Sequence, residues 1–119
     1  MVRIKRAYEP AASRDGVRVL VDRVWPRGIT KETARIKQWV RELAPSVQLR
    51  EFFGHDPAKW EEFQRRYRKE LGRGQAREML DELASISARG TLTLVYGARD
   101  PEHNQAVVIK KVLDEMAWR

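Results

Sequence analysis

The chain has 119 residues, enough to enclose one hydrophobic core, with 42% hydrophobic residues, 34% charged residues and a formal net charge of +7. It has no cysteine, which excludes disulfides, a thiol nucleophile and thiolate metal sites. The charge is uneven: residues 1–50 hold 12 Lys/Arg against 5 Asp/Glu, whereas residues 51–119 hold 12 against 12. A basic excess attracts phosphates, nucleotides, nucleic acid or acidic partners without choosing among them. The start, Met-Val-Arg-Ile-Lys-Arg, has no apolar signal-like stretch, and no apolar run approaches the roughly 20 residues of a membrane span. The expectation is therefore one domain over residues 1–119, in the cytoplasm and without a membrane partner.

In chain order, Val2 to Tyr8 alternates apolar and basic residues and reads as a half-exposed strand. Glu9-Pro10 ends it, and 11–16 is a loop. Val17 to Val21 is a second strand; its continuous apolar run Val19-Leu20-Val21 suits a strand covered on both faces. Pro26 and Gly28 forbid regular structure in the polar segment that follows. Thr30 reads as a helix N-cap, and Ile36, Trp39, Val40 and Leu43 at i, i+3, i+4, i+7 predict a helix up to Pro45. Ser46 to Phe53 reads as a short helical turn with Val47, Leu49, Phe52 and Phe53 inward. Asp56-Pro57 is an N-cap followed by proline at the first helical position. Trp60, Phe63, Tyr67 and Leu71 mark the helix that follows, until Gly72 and Gly74. Ala76, Met79, Leu80, Leu83 and Ala84 mark another, ending before Gly90.

Leu92 to Tyr96 is a short β-favouring run between glycines, hence a buried strand. Polarity then flips through Arg99, Asp100, Glu102, His103 and Asn104. Ala106, Ile109, Val112, Leu113 and Met116 resume helical spacing. The resulting order, β-β-α-α-α-α-β-α, predicts a small layered α/β domain of about three mostly parallel strands flanked by about five helices. Strands 17–21 and 92–96 are expected adjacent and parallel, joined by the long helical segment.

In open parallel sheets ligands sit beyond the carboxyl ends of the strands. Two polar loops would meet there: Asp22, Arg23, Trp25, Arg27 and Gly28 against Gly97, Arg99, Asp100, His103 and Asn104. Both lead to helix N-termini, which favour anions. Arg23, Arg27 and Arg99 suit charge-assisted contacts to phosphate or carboxylate. Asp22, Asp100 and His103 suit acid–base work, so they are the candidate catalytic groups. Trp25, Gly28, His55, Tyr96 and Asn104 complete the candidate binding set. Each has a competing structural reading: Asp22 as an arginine's partner, Arg99-Asp100 as a turn with Pro101, His55 as a turn former, Trp25 as core. Asp100-x-x-His103 with Asp22 or with His55-Asp56 is only a weak metal signal, because two histidines lack a fixed ligand spacing, and no Gly-x-Gly-x-x-Gly or Gly-x-x-x-x-Gly-Lys appears. No cofactor is indicated. A second basic feature, Arg65 to Arg77, suits a nucleic-acid or regulatory partner. The interspersed Glu61, Glu62, Glu70 and Glu78 also fit a salt-bridged, solvated face.

Four motifs in order resemble the YeaO-like branch of the domain-of-unknown-function 488 (DUF488) family. They are Arg18-Val-Leu-Val-Asp-Arg-Val-Trp-Pro-Arg-Gly28, Trp39-Val-Arg-Glu-Leu-Ala-Pro45, Phe53-Gly-His-Asp-Pro57 with Trp60, and Tyr96-Gly-Ala-Arg-Asp-Pro-Glu-His-Asn104. The resemblance runs nearly end to end and implies a compact α/β protein of bacterial and archaeal type with no settled activity. Relatives often carry a Cys-His-Arg-like triplet at the start of the last helix and a cysteine near the end of the last strand. Here those places read His103-Asn104-Gln105 and Tyr96, so cysteine-based chemistry is closed to this chain. The leading expectation is a small anionic ligand, a nucleotide or phosphorylated metabolite, in a basic cleft at the strand ends, with or without catalysis. The alternative is a nucleic-acid or regulatory module using the 64–77 surface. The sequence does not fix the oligomeric state.

Overall fold

The computed structural model describes residues 1–117. Four strands, β1 (Val2–Arg6), β2 (Val17–Leu20), β3 (Gln38–Trp39) and β4 (Leu92–Tyr96), form one sheet in the order β1-β4-β2-β3, with every neighbouring pair parallel. Five helices accompany it: α1 (Lys31–Ala34), α2 (Val47–Phe53), α3 (Trp60–Leu71), α4 (Gly74–Arg89) and α5 (Gln105–Met116). The α/β class is the expected one, with four strands in place of three. β2 and β4 are adjacent and parallel, Val17 opposite Leu92 and Leu20 opposite Val95. All of β4 is buried, as suits its mainly apolar run, and the hydroxyl of its one interrupting residue, Thr93, donates to the Asp15 carbonyl. β1 lies at the edge, which explains its half-exposed alternation of apolar and basic side chains.

Strand alternation divides the core in two. Val19, Val21, Leu92, Leu94 and Tyr96 join the larger cluster with Phe63, Tyr67, Leu80, Leu83, Ile109 and Leu113 from the helices. Leu20 and Val95 point the other way and meet Ala7, Trp25, Ile29, Ile36 and Trp39. That second face is covered by loops and is partly polar. The buried Asp15 carboxylate accepts from Lys5 Nζ at 3.1 Å, Arg18 Nη1 at 2.8 Å and the Ala12 N–H at 3.0 Å. Burial pushes the Asp15 carboxyl up, but those three donors outweigh it and hold it below the usual aspartate value. Arg18 Nε donates to the Ala34 carbonyl and Thr93 Oγ1 to the Asp15 carbonyl, so one charged group ties both covering loops to the sheet. Gly16 closes this loop at φ +64°, where a Cβ would stand 2.2 Å from the Thr91 carbonyl oxygen.

The helix predicted from Thr30 to Leu43 is a correction. Thr30 does cap α1, its Oγ1 accepting from the Thr33 N–H at 3.2 Å. The helix stops at Ala34 because Arg35 turns left-handed at φ 50°, its N–H still bonding the Lys31 carbonyl. The chain then extends along the edge of β2. Lys37 and Val40 N–H groups donate to the Arg18 and Leu20 carbonyls, both at 2.8 Å. Ile36 and Trp39 pack on the loop-covered face, Val40 and Leu43 in the helix-covered core. The apparent single helical stripe is thus a chain crossing the sheet edge, its neighbours Trp39 and Val40 pointing to opposite faces.

Among the described residues no helix is long and apolar enough to cross a membrane.

Candidate functional site

β2 and β4 end side by side, and pairing continues one residue further through the Val21 N–H to the Val95 carbonyl. The next residue, Asp22, then faces Gly97. The Gly97 N–H donates to Asp22 Oδ2 at 2.8 Å. A Cβ at position 97 would stand 2.8 Å from that same oxygen, so the close approach needs a glycine. Gln105, the first residue of α5, donates its amide Nε2 to Asp22 Oδ1. Burial is the largest influence on Asp22 and pushes its carboxyl up to about 6; the Gly97 N–H, Gln105 and the positive charge of Arg50 oppose it less strongly.

In front of Asp22 lies a cavity of about 450 Å³. The strand-end loops supply Asp22, Arg23, Ala98, His103, Asn104 and Gln105; α2 and the turn after it supply Val47, Arg50, Glu51, Phe53 and His55. Phe53 and Phe63 stack at 4.5 Å between ring centres and make an apolar wall. Arg23 crosses the mouth and donates Nη2 to the Pro45 carbonyl at 2.9 Å. Among the described residues neither Arg23 nor Arg50 has an ion pair.

The loop 97–104 is built by its own side chains. Asp100 Oδ1 accepts from the Glu102 and His103 N–H groups, and Oδ2 lies 2.8 Å from His103 Nδ1. These bonds, the Glu102 N–H first, hold the Asp100 carboxyl below its usual value. With Nδ1 committed to Asp100, Nε2 is the ring nitrogen left for a ligand; the ring meets Trp60 edge-on at 5.2 Å. Asn104 caps α5, accepting from the Val107 N–H and donating to the Asp100 carbonyl. Tyr96 is buried beneath, hydrogen-bonded to Asn104; burial first, and the charge of Glu9 second, push its hydroxyl up.

Of the sequence candidates, Asp22, Arg23, His55, His103 and Asn104 line the cavity. Asp100 supports His103 from behind. Trp25, Arg27, Gly28, Tyr96 and Arg99 lie outside the lining. Trp25 belongs to the loop-covered face, where its Nε1 donates to the Ile29 carbonyl and its ring meets Trp39 at 5.5 Å. Gly28 sits at φ 80° in the turn beside it. Arg27 and Arg99 are exposed. Sequence reasoning missed Arg50 and Gln105. Gln105 could have been found by counting one residue past the Asn104 cap, where a side chain reaches back over the strand end. Arg50 carries no local signal, because the fold alone brings α2 over the cleft.

The basic 64–77 segment is largely neutralised. Arg65 and Arg66 both bond Glu62, Arg68 bonds Glu115 at 2.9 Å, and Arg77 lies 3.4 Å from Asp81. Among the described residues no three His, Asp or Glu side chains are grouped to hold a metal ion.

The family model described as the inactive DUF488-N3 subclade matches residues 1–119. An uncharacterised protein of Mycobacterium tuberculosis is 40% identical over 113 residues, 95% of this chain and 93% of that protein. The uncharacterised protein YeaO of Escherichia coli is 38% identical over 108 residues, 91% of this chain and 92% of YeaO. No solved structure matches the chain. With a family model matched from end to end and a YeaO relative aligned over nine-tenths of its length, the chain belongs to the DUF488 family as a YeaO-like member.

Proposed function

We propose that this protein binds a small anionic ligand, a nucleotide or phosphorylated metabolite, in the strand-end cavity, and holds it without turning it over. The carrying observation is the pair of guanidinium groups, Arg23 and Arg50, on the wall of an apolar-sided cavity with no ion pair of their own among the described residues. They hold the phosphate or carboxylate at the mouth by charge-assisted bonds. His103, its Nδ1–H donating to Asp100, presents Nε2 as an acceptor for a hydroxyl or N–H of the ligand. Asp22 and Gln105 lie at the base, where an uncharged part of the ligand offers hydrogen-bond donors to the carboxylate. Phe53 and Phe63 cover its apolar face. The description of the matched subclade as inactive favours binding over turnover.

A thermal-shift series with inorganic phosphate, nucleotides and sugar phosphates, at low and high salt, tests this reading. A ligand at about 100 times its dissociation constant stabilises by about 2.7 kcal/mol, which moves the melting temperature by several degrees in a domain of this size. The expected result is such a shift from one small anion, lost in Arg50→Ala, whose own melting temperature stays near that of the parent because Arg50 is exposed. No shift from any anion, or an equal shift in Arg50→Ala, contradicts the reading.

A further inference from the structure

A cationic rim leads out of the cavity and is not needed to fill it. Ala98 lines the cavity, and its carbonyl accepts from Arg6 Nε at 2.9 Å. The Arg6 guanidinium lies 4.8 Å from the centre of the Tyr8 ring. Tyr8, 45% exposed, donates its hydroxyl to the Arg27 carbonyl at 2.9 Å. Arg99 follows Ala98 directly, and Arg23 stands at the mouth on the loop that runs to Arg27. These contacts make one continuous edge carrying Arg23, Arg6, Tyr8, Arg27 and Arg99. Among the described residues none of its four arginines has an ion pair. Glu9, the acidic neighbour, spends its carboxylate on the Arg6 backbone N–H at 2.9 Å.

From this juxtaposition we infer that the natural ligand is one nucleotide of a single-stranded nucleic acid, its base and sugar in the cavity and the adjoining phosphodiesters on the Arg6–Tyr8–Arg27–Arg99 rim. The inference rests on the anion-binding reading of the cavity and names the ligand class. Four cations free of carboxylates along an edge suit a chain of phosphates better than one phosphate. An exposed ring among them offers a face on which a neighbouring base stacks. The cavity, of about 450 Å³ with aromatic walls and the Asp22–Gln105 pair at its base, has room for a single unstacked base and groups to meet its exocyclic donors. A duplex keeps its bases stacked and cannot deliver one without paying to unpair it.

The test compares a fluorescent single-stranded oligonucleotide of about ten nucleotides with a mononucleotide, a duplex and a polyglutamate peptide of matched charge, across a salt series. The variants are Arg50→Ala in the cavity and the double variant Arg27→Ala/Arg99→Ala, two exposed rim positions outside the cavity lining. The single strand is expected to bind at least tenfold tighter than the mononucleotide, the duplex or the peptide at low salt. The rim variant is expected to flatten the slope of log affinity against log salt by about 1.4, from two phosphates at roughly 0.7 each, while leaving mononucleotide affinity unchanged. Arg50→Ala is expected to weaken both ligands. Mononucleotide binding with no advantage for the single strand, or an unchanged salt slope in the rim variant, overturns this inference and leaves the cavity reading standing. Equal binding of the peptide overturns it too. Failure of every nucleotide to bind overturns this inference, and the cavity reading falls with it when inorganic phosphate and sugar phosphates also fail to bind.

Discussion

Asp22 is the residue on which the cleft depends, and its environment has a measurable consequence. Its carboxyl titrates at about 6 in the folded protein against an ordinary 3.8. Below about pH 4 both folded and unfolded chains hold the proton, and the group is neutral to stability. As pH rises from about 4 to 6 the unfolded chain has released it and the folded chain still binds it, so stability falls; above about 6 the full cost remains. At about 1.4 kcal/mol per pH unit that cost is on the order of 2–3 kcal/mol. Asp22→Asn keeps an acceptor for the Gly97 N–H and removes the charge. Urea unfolding should therefore show the variant gaining about 2 kcal/mol on the parent between pH 4 and pH 7.5. An equal difference at both pH values would show that burial of the charge is not what perturbs Asp22. A stability cost retained at a cleft residue is the pattern expected of a binding group.

At the scale of elements, the segment 30–43 shows where sequence reasoning ran out. Its apolar spacing satisfies a helix and a sheet-edge crossing equally, and the deciding feature is the left-handed backbone at Arg35. An L-residue there is disfavoured by about 1 kcal/mol relative to glycine. Arg35→Gly should raise stability by roughly 0.5–1 kcal/mol, read as a higher urea midpoint at unchanged slope; a lower midpoint would mean that the turn is not held as described. The strand-end loops were legible for the opposite reason. β4 is a β-favouring, mainly apolar run, Asn104 has cap chemistry, and Asp100-Pro101 cannot continue a strand, so local signals agree with the fold. Asp22 and His103 were recognisable as cleft residues on that basis. Arg50 was not, because its place above Asp22 follows from the packing of α2, which no local pattern records.

Across the whole molecule the charges are sorted. Apart from Lys5 and Arg18 on Asp15, every ion pair among the described residues lies between residues 62 and 115. The excess of positive charge is therefore carried by side chains of the first half that have no ion pair among the described residues. Asp15 anchors the loop-covered face of the sheet. Its removal leaves Arg18, 3% exposed and with Nη2 already unpartnered among the described residues, as an uncompensated buried charge. Asp15→Ala should cost about 3–5 kcal/mol by denaturant unfolding, whereas an exposed pair such as Lys110–Asp114 should contribute under about 1 kcal/mol. A small loss at Asp15 would show that the charged cluster does not hold the covering loops in place.

The most direct test of the cleft as a ligand site is an amide NMR titration with a nucleotide. The Gly97 N–H reports on Asp22 through their 2.8 Å hydrogen bond, and the Gln105 side-chain amide reports on its other oxygen. The account predicts saturable shifts concentrated at Gly97, His103, Gln105 and the end of α2, abolished in Arg50→Ala, with the amides of α4 unmoved. Shifts confined to the salt-bridged face of α3, or none at Gly97 and Gln105 under saturating ligand, would contradict it.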